Sequence, residues 1–174
     1  ISRAARAGVI VKGGTAIERL GEARTVLLDK TGTVTLGTPD IDRIICLGAI
    51  PELELLRLAA SLDQLSAHSL AEALVHDAQR RGLELSFPTD ASEGLGQGIE
   101  GAVNGHRVAV GSSAGLESHG YAGAAAHART LDDGDATGRA KVLVGVDGAL
   151  AGAIVMADHL QPDAAELVQQ LRDA

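Results

Sequence analysis

Hydrophobic positions change texture along the chain. Residues 1–24 alternate polar and apolar positions as in helix, turn and helix. Within them, Gly8-Val9-Ile10-Val11-Lys12-Gly13-Gly14 reads as a short strand-like run between glycines. Thr15 is placed to cap a short helix through Leu20, with Glu18 completing a capping box. The run Thr25-Val26-Leu27-Leu28 leads into Asp29 and Gly32, the pattern of a buried strand that stops at a loop. Leu36 to Asp40 reads as a linker by its Gly37 and Pro39.

Ile41 to Leu47 follows as a strand. Pro51 suits the first turn of a helix in which Leu53, Leu56, Ala60 and Leu62/Asp63 keep helical spacing to about Gln64. Ser69 with Glu72 forms a second capping box, with Leu70, Ala71, Leu74, Val75 and Ala78 on one face and Gly82 as the stop. From Gly94 the periodicity shortens. Ile99, Val103, Asn104-Gly105, Val108 and Val110 predict a β-hairpin. A second hairpin runs from Ala140 to Val146, turns at Asp147-Gly148, and returns over Leu150 to Met156. Between the hairpins, 113–134 predict broken helix. Gln161-Pro162 opens a last helix with Ala165, Leu167/Val168 and Leu171 as its apolar stripe. The ends thus have α/β texture, and the middle resolves as an antiparallel sheet with helices inserted into a loop of an α/β domain.

Composition narrows this picture. The 174 residues are 45% hydrophobic but 1% aromatic, so Ala, Val, Leu and Ile build the core. The net charge of -8 argues against a general nucleic-acid or anionic-membrane surface. Cys46, the single cysteine, excludes an internal disulfide and reads as a small core residue. No apolar run approaches the roughly 18–20 residues of a membrane span. The chain opens on Ile1, holds one methionine, Met156, and is expected to be part of a longer protein.

The chemistry concentrates at Asp29-Lys30-Thr31-Gly32-Thr33-Val34-Thr35. A carboxylate at a strand's carboxyl end sits where open α/β sheets place ligands, and it can take a phosphoryl group covalently. Lys30 adds positive charge, Thr31 and Thr33 supply hydroxyls, and Gly32 permits close backbone approach. By residue type alone, Asp29 is equally a turn former. Two further features stand in the middle region. Gly96-Gln97-Gly98-Ile99-Glu100-Gly101 has G-x-G-x-x-G spacing, but a hairpin follows it, which rejects a dinucleotide fingerprint and leaves a glycine-rich turn or a nucleotide contact. His68 precedes a helix and by itself is an ordinary surface histidine. The other histidines, His76, His106, His119, His127 and His159, lack metal-ligand spacing.

The seven-residue string resembles the phosphorylation signature of the P-type ATPases. The resemblance to their heavy-metal-transporting branch extends over nearly the whole chain. Gly8 to Gly14 with Glu18 is similar to the stretch that follows the last membrane helix before the phosphorylation site. Ser61 to Ala71 resembles the family's adenine-binding helix junction. Gly96 and Gly98 match a glycine pair, Val110-Gly111-Ser112 a later turn, and Asp158 the return to the phosphorylation domain. The resemblance implies a haloacid-dehalogenase-like (Rossmannoid) phosphorylation domain, present in part as 1–38 and 156–174, around a nucleotide-binding domain at 39–155.

It further implies Asp29, Lys30 and Thr31 as catalytic residues, with Asp29 phosphorylated. Asp63, His68, Gly96, Gly98 and Ser112 would bind ATP, and Asp29 and the Thr31 carbonyl would hold Mg²⁺. The implied partners are the remaining phosphorylation, actuator and membrane domains of a parent ion pump. The region would lie at the cytoplasmic face of a membrane, with the transported metal bound elsewhere. The chain departs from the family at four positions: Asp63 replaces Glu, Ser69 replaces Pro after His68, Ser112 replaces Asn, and Gln161 replaces Arg. Thr31 stands where related phosphatases carry a second Asp that hydrolyses the phosphoenzyme, which favours a long-lived intermediate. The alternatives are a soluble phosphatase or phosphotransferase, or a nucleotide-binding module without catalysis. The family's Gly-Asp-Gly-x-Asn-Asp and Thr-Gly-Asp stretches do not occur in the 174 residues, so the chain alone is expected not to turn over ATP.

Overall fold

The computed structural model describes residues 2–6, 8–94, 96–121, 123–126 and 139–173. It divides into two units, Ile1–Lys30 and Thr31–Ala174. Of the broken helix predicted over 113–134, residues 127–134, His127 among them, lie outside the described residues.

The first unit holds two helices, α1 (Ser2–Arg6) and α2 (Gly14–Gly21). The strand-like run at 8–14 is not a strand. The Val9 N–H instead closes α1 by donating to the Ala4 carbonyl at 2.9 Å, and Gly8 and Gly13 adopt φ of 77° and 94°. The Thr15–Glu18 capping box is absent too: the N-cap is Gly13, two residues before Thr15, and no side chain caps α2. The strand expected at Thr25–Leu28 also fails to form, and Val26 and Leu27 are 51% and 93% exposed. A strand of this composition is stable only when neighbours cover both its faces, and among the described residues none pairs with it.

The second unit is built on one six-stranded antiparallel sheet. Its strands are β1 (Asp40–Cys46), β2 (Thr89–Gly94), β3 (Gly98–Val103), β4 (His106–Gly111), β5 (Arg139–Val146) and β6 (Ala149–Ala157), in the order β1-β6-β5-β4-β3-β2. Both predicted hairpins form. Their turns place Asn104 and Asp147 at φ of 50° and 51°, each followed by a glycine, as a twisted two-residue hairpin loop requires. The sequence reading missed β2, whose Thr-Asp-Ala-Ser-Glu-Gly carries no apolar alternation. It is an edge strand with a register irregularity between Thr89 and Ser92.

Helices α3 (Glu52–Asp63) and α4 (Ser69–Arg80) cover one face of the sheet. Leu55, Leu56, Leu62 and Leu74 meet Val103, Val108, Val144 and Ile154 in the larger core. Cys46 packs at its margin as a half-buried thiol. Helix α5 (Ser113–Ser118) starts a smaller cluster in which Leu116 and Tyr121 pack on Ala109, Leu143 and Ala153. The Ser69–Glu72 capping box is not made. His68 occupies the N-cap position and Ser69 the first helical position, so no side chain caps the helix and the Glu72 N–H is taken by the His68 carbonyl at 3.1 Å.

The chain enters and leaves the sheet side by side. Thr35 bridges Leu160, the Leu36 N–H donates to the His159 carbonyl at 2.8 Å, and the Gln161 N–H donates to the Val34 carbonyl at 2.8 Å. The buried Thr35 hydroxyl donates to Asp158 Oδ2, and the Gly37 N–H donates to Asp158 Oδ1 at 3.0 Å. The closing helix α6 (Ala164–Asp173) keeps its predicted stripe, but Leu167 and Leu171 stay 42% and 41% exposed and only Ala164 is buried.

Candidate functional site

Helix α3 ends at Asp63 because Leu62 is the last of its residues to reach the sheet core. The chain then turns through Ser66 and re-enters helix at His68. The turn is tied down by side chains: Ser66 Oγ donates to Glu93 Oε1 on β2 at 2.6 Å and accepts the His68 N–H at 3.3 Å. Opposite lies the tight turn from β2 to β3. Gly98 has φ 79°, and a Cβ there would sit 2.2 Å from the Val110 carbonyl oxygen, so glycine alone lets β3 start against the end of β4. At that end, Ser112 Oγ accepts the Gly115 N–H at 3.1 Å and donates to the Gly96 carbonyl at 3.4 Å.

These segments enclose a cavity of about 280 Å³. Asp63, His68, Gly96, Gly98 and Ser112, each singled out in the sequence, all line it. Buried Ala71, Ile99, Val110 and Val142 supply apolar surface, and His68 is exposed. An apolar slot with a few convergent polar groups suits a planar heterocycle. Asp63 is only 4% exposed, and burial, reinforced by the charge of Glu93, raises its carboxyl from the usual 3.8 to about 7. A carboxyl poised there can accept or donate a hydrogen bond at neutral pH.

Ser66, Glu93 and Lys141 also line the cavity and were not picked out from sequence. Lys141 carried a signal, as the one charged residue inside the apolar run 140–146. Glu93 sits on the missed strand β2. A larger hollow of about 420 Å³, between Thr38–Asp40 and α4, holds none of the candidate residues.

The phosphorylation-motif residues are not on this cavity's wall. Asp29 and Lys30 belong to the first unit and Thr31 to the second. Asp29 is exposed, and its Oδ1 accepts the Lys30 N–H at 2.8 Å. Thr31 is extended (φ -76°, ψ 121°), and Gly32 turns the chain at φ 73°. Among the described residues, no group of three or more His, Cys, Asp or Glu side chains could hold a metal ion. A single carboxylate with a backbone carbonyl is still the donor type that Mg²⁺ accepts when phosphate and water complete its shell, so the chemistry of Asp29 and Thr31 fits that ion.

An exposed Asp-Lys-Thr-Gly-Thr segment followed by a six-stranded antiparallel sheet with helices on it is the frame of the site, and comparison with known proteins gives its class. Residues 23–174 match the haloacid dehalogenase-like hydrolase family, and the chain belongs to it. Within that class the chain is similar to heavy-metal pumps. It is 40% identical to the copper-transporting P-type ATPase of Rhizobium leguminosarum bv. viciae, over 99% of this chain and 20% of that protein. It matches the crystal structure of a zinc-transporting PIB-type ATPase in the E2.Pi state with a TM-score of 0.78 and 37% identity, over 98% of this chain and 27% of the other. It matches the crystal structure of the N-domain of a copper-transporting P-type ATPase with a TM-score of 0.57 and 28% identity, over 68% of this chain and 98% of the domain. The chain therefore spans about a fifth of the length of the curated relative it matches. No described helix is long and apolar enough to cross a membrane.

Proposed function

We propose that the chain is the ATP-binding and phosphorylation region of a heavy-metal cation pump that works through an aspartyl-phosphate on Asp29. The observation that carries this reading is the convergence of Asp63, His68, Gly96, Gly98 and Ser112, scattered over 50 positions, on one cavity. The adenine ring enters the apolar slot. His68 stacks on it or hydrogen-bonds it, Asp63 meets its polar edge, and the bare backbone of Gly96 and Gly98 lets it lie close.

Phosphoryl transfer forms a bond from an Asp29 carboxylate oxygen to the γ-phosphorus and breaks the bond to the bridging oxygen, releasing ADP. Lys30 offers positive charge to the phosphoryl oxygens. Asp29 and the Thr31 carbonyl would hold Mg²⁺, which would supply screening of the phosphate charge. Thr31 has no acid-base group at neutral pH to speed hydrolysis of the acyl phosphate, so that species persists as a pump requires. The actuator, membrane and remaining phosphorylation segments of the parent chain are its partners at the cytoplasmic face of the membrane. The transported ion binds elsewhere. Both the copper-transporting and the zinc-transporting relatives match this region, which fits a segment that does not choose the cation.

Two measurements test the proposal. ATP added to the chain without Mg²⁺ is expected to shift amide resonances around His68 and Gly96–Ser112, with His68→Ala weakening binding. Equal affinity in wild type and variant removes His68 from the site. In the full-length parent, Asp29→Asn is expected to abolish acid-stable labelling from γ-labelled ATP, and surviving label relocates the nucleophile.

A further inference from the structure

Ser66 joins three parts of the cavity wall. Its N–H donates to the Asp63 carbonyl at 3.1 Å, in the turn that follows α3. Its Oγ accepts the His68 N–H at 3.3 Å, and the same hydroxyl donates to Glu93 Oε1 on β2 at 2.6 Å. An O–H···O⁻ bond of that length is charge-assisted, and a hydroxyl that donates to a carboxylate is the better acceptor for its other bond. The same donation holds Oγ in one rotamer. A serine free to rotate would face the His68 amide only part of the time.

The strand register brings Glu93 to this place. Glu93 stands opposite Ile99 on β3, and Gly94 opposite Gly98. Cross-strand partners project from the same face of a sheet. Ile99 is buried in the core under α3 and α4, so the Glu93 side chain rises on that side, towards the turn. Ser92, opposite Glu100, projects the other way.

His68 is the residue that needs the restraint. It enters α4 with φ -75° and ψ 140°, the extended region that a proline at position 69 would impose on it. Position 69 is serine, which imposes nothing of the kind. His68 is exposed, so packing does not hold it, and α4 starts without a side-chain cap. The bond from the His68 N–H to Ser66 Oγ is what fastens the backbone ahead of the helix.

We propose that Ser66, held by Glu93, is a positioning residue for nucleotide binding: it fixes the backbone at His68, so that the imidazole meets the adenine ring without first having to be ordered. The proposal rests on the nucleotide-site reading given above and goes beyond it in assigning what aims His68.

The test measures ATP binding to this chain without Mg²⁺ by calorimetry. Ser66→Ala should bind roughly three- to tenfold more weakly than wild type, the scale of ordering one side chain on binding. Ser66→Thr keeps the hydroxyl and should keep the affinity. Ser69→Pro restrains His68 by itself, at a helix position that tolerates proline, and should restore Ser66→Ala to near wild type. In a His68→Ala background, Ser66→Ala should cost nothing further. Amide exchange at His68 should speed several-fold in both Ser66→Ala and Glu93→Ala. Glu93→Ala leaves the turn sequence intact and tests the same link should Ser66→Ala not fold. Wild-type affinity in Ser66→Ala overturns the proposal. A loss that persists without His68, or that Ser69→Pro leaves in place, overturns it too, because Ser66 then touches ATP itself or only holds the fold. Unchanged His68 exchange in Glu93→Ala also overturns it. All of these results leave the nucleotide site standing, whereas a wild type that binds no ATP overturns both.

Discussion

Asp63 gives a stability prediction whose size can be worked out. Its carboxyl is 4% exposed, lies beside Glu93 and Ser66 with His68 on the same cavity wall, and titrates near 7 in the folded chain against 3.8 in the unfolded one. The folded state therefore holds the proton more tightly. The favourable contribution is fully present below 3.8 and is lost as pH rises towards 7. Three units correspond to about 4 kcal/mol across the whole window. Between about pH 5.5 and about pH 8 the unfolded side chain is ionised throughout while the folded one gives up its proton, so this group alone removes about 2 kcal/mol. Asp63→Asn keeps the shape and cannot ionise. Urea unfolding of both proteins at constant ionic strength should show wild type losing about 2 kcal/mol more than the variant across that interval. Comparing the two cancels the histidines and the other carboxylates. Parallel pH profiles would refute the reasoning and show that water or relaxation already solvates the ionised group.

Gly98→Ala should cost about 2–4 kcal/mol in urea unfolding, because its Cβ meets the Val110 carbonyl oxygen at 2.2 Å on a backbone with φ 79°. Gly96→Ala, at φ 73° with nothing within 4 Å, should cost only about 1 kcal/mol, and equal losses would contradict the geometry. Asp158→Ala leaves the buried Thr35 hydroxyl and the Gly37 amide without their acceptor, and should cost about 1–3 kcal/mol and speed hydrogen exchange at Leu36 and Gln161. The isolated chain should release no phosphate from Mg²⁺ and ATP above an Asp29→Asn control, because the segment carrying Asp29 is exposed and joins no sheet among the described residues, which leaves a nucleophile poorly held in line.

The sheet was legible wherever local rules act alone. Asn104-Gly105 and Asp147-Gly148 announce hairpins because their turns need positive φ, and the four strands around them alternate or run apolar. Strand β2 was illegible because an edge strand with one partner needs no apolar face of its own. The capping boxes misled for a related reason. Ser/Thr-x-x-Glu marks a helix start only if the hydroxyl residue stops short of helical dihedrals, and here helix begins two residues early at Gly14 and one residue early at Ser69.

The site shows the same division between local and distant information. Asp63, His68, Gly96, Gly98 and Ser112 were picked out through the family resemblance alone, and in the fold each ends an element: a helix terminus, an N-cap, a tight turn, a strand end. Element ends are where chains turn, and turning segments converge on cavities. Lys141 and Glu93 lie inside strands, so their access to the cavity depends on where a neighbouring strand stops. Gly111 stops β4 two positions short of the point that would flank Lys141. Registry of that kind depends on pairing between segments some 30 residues apart and leaves no mark on the strand that carries the lysine. The failure at Thr25–Leu28 has the opposite cause. There the local pattern is right for a strand, and what the strand needs is a pair of neighbours on either side. An apolar run specifies a strand only together with the surfaces that bury it, so its 93%-exposed Leu27 marks a segment built to be covered.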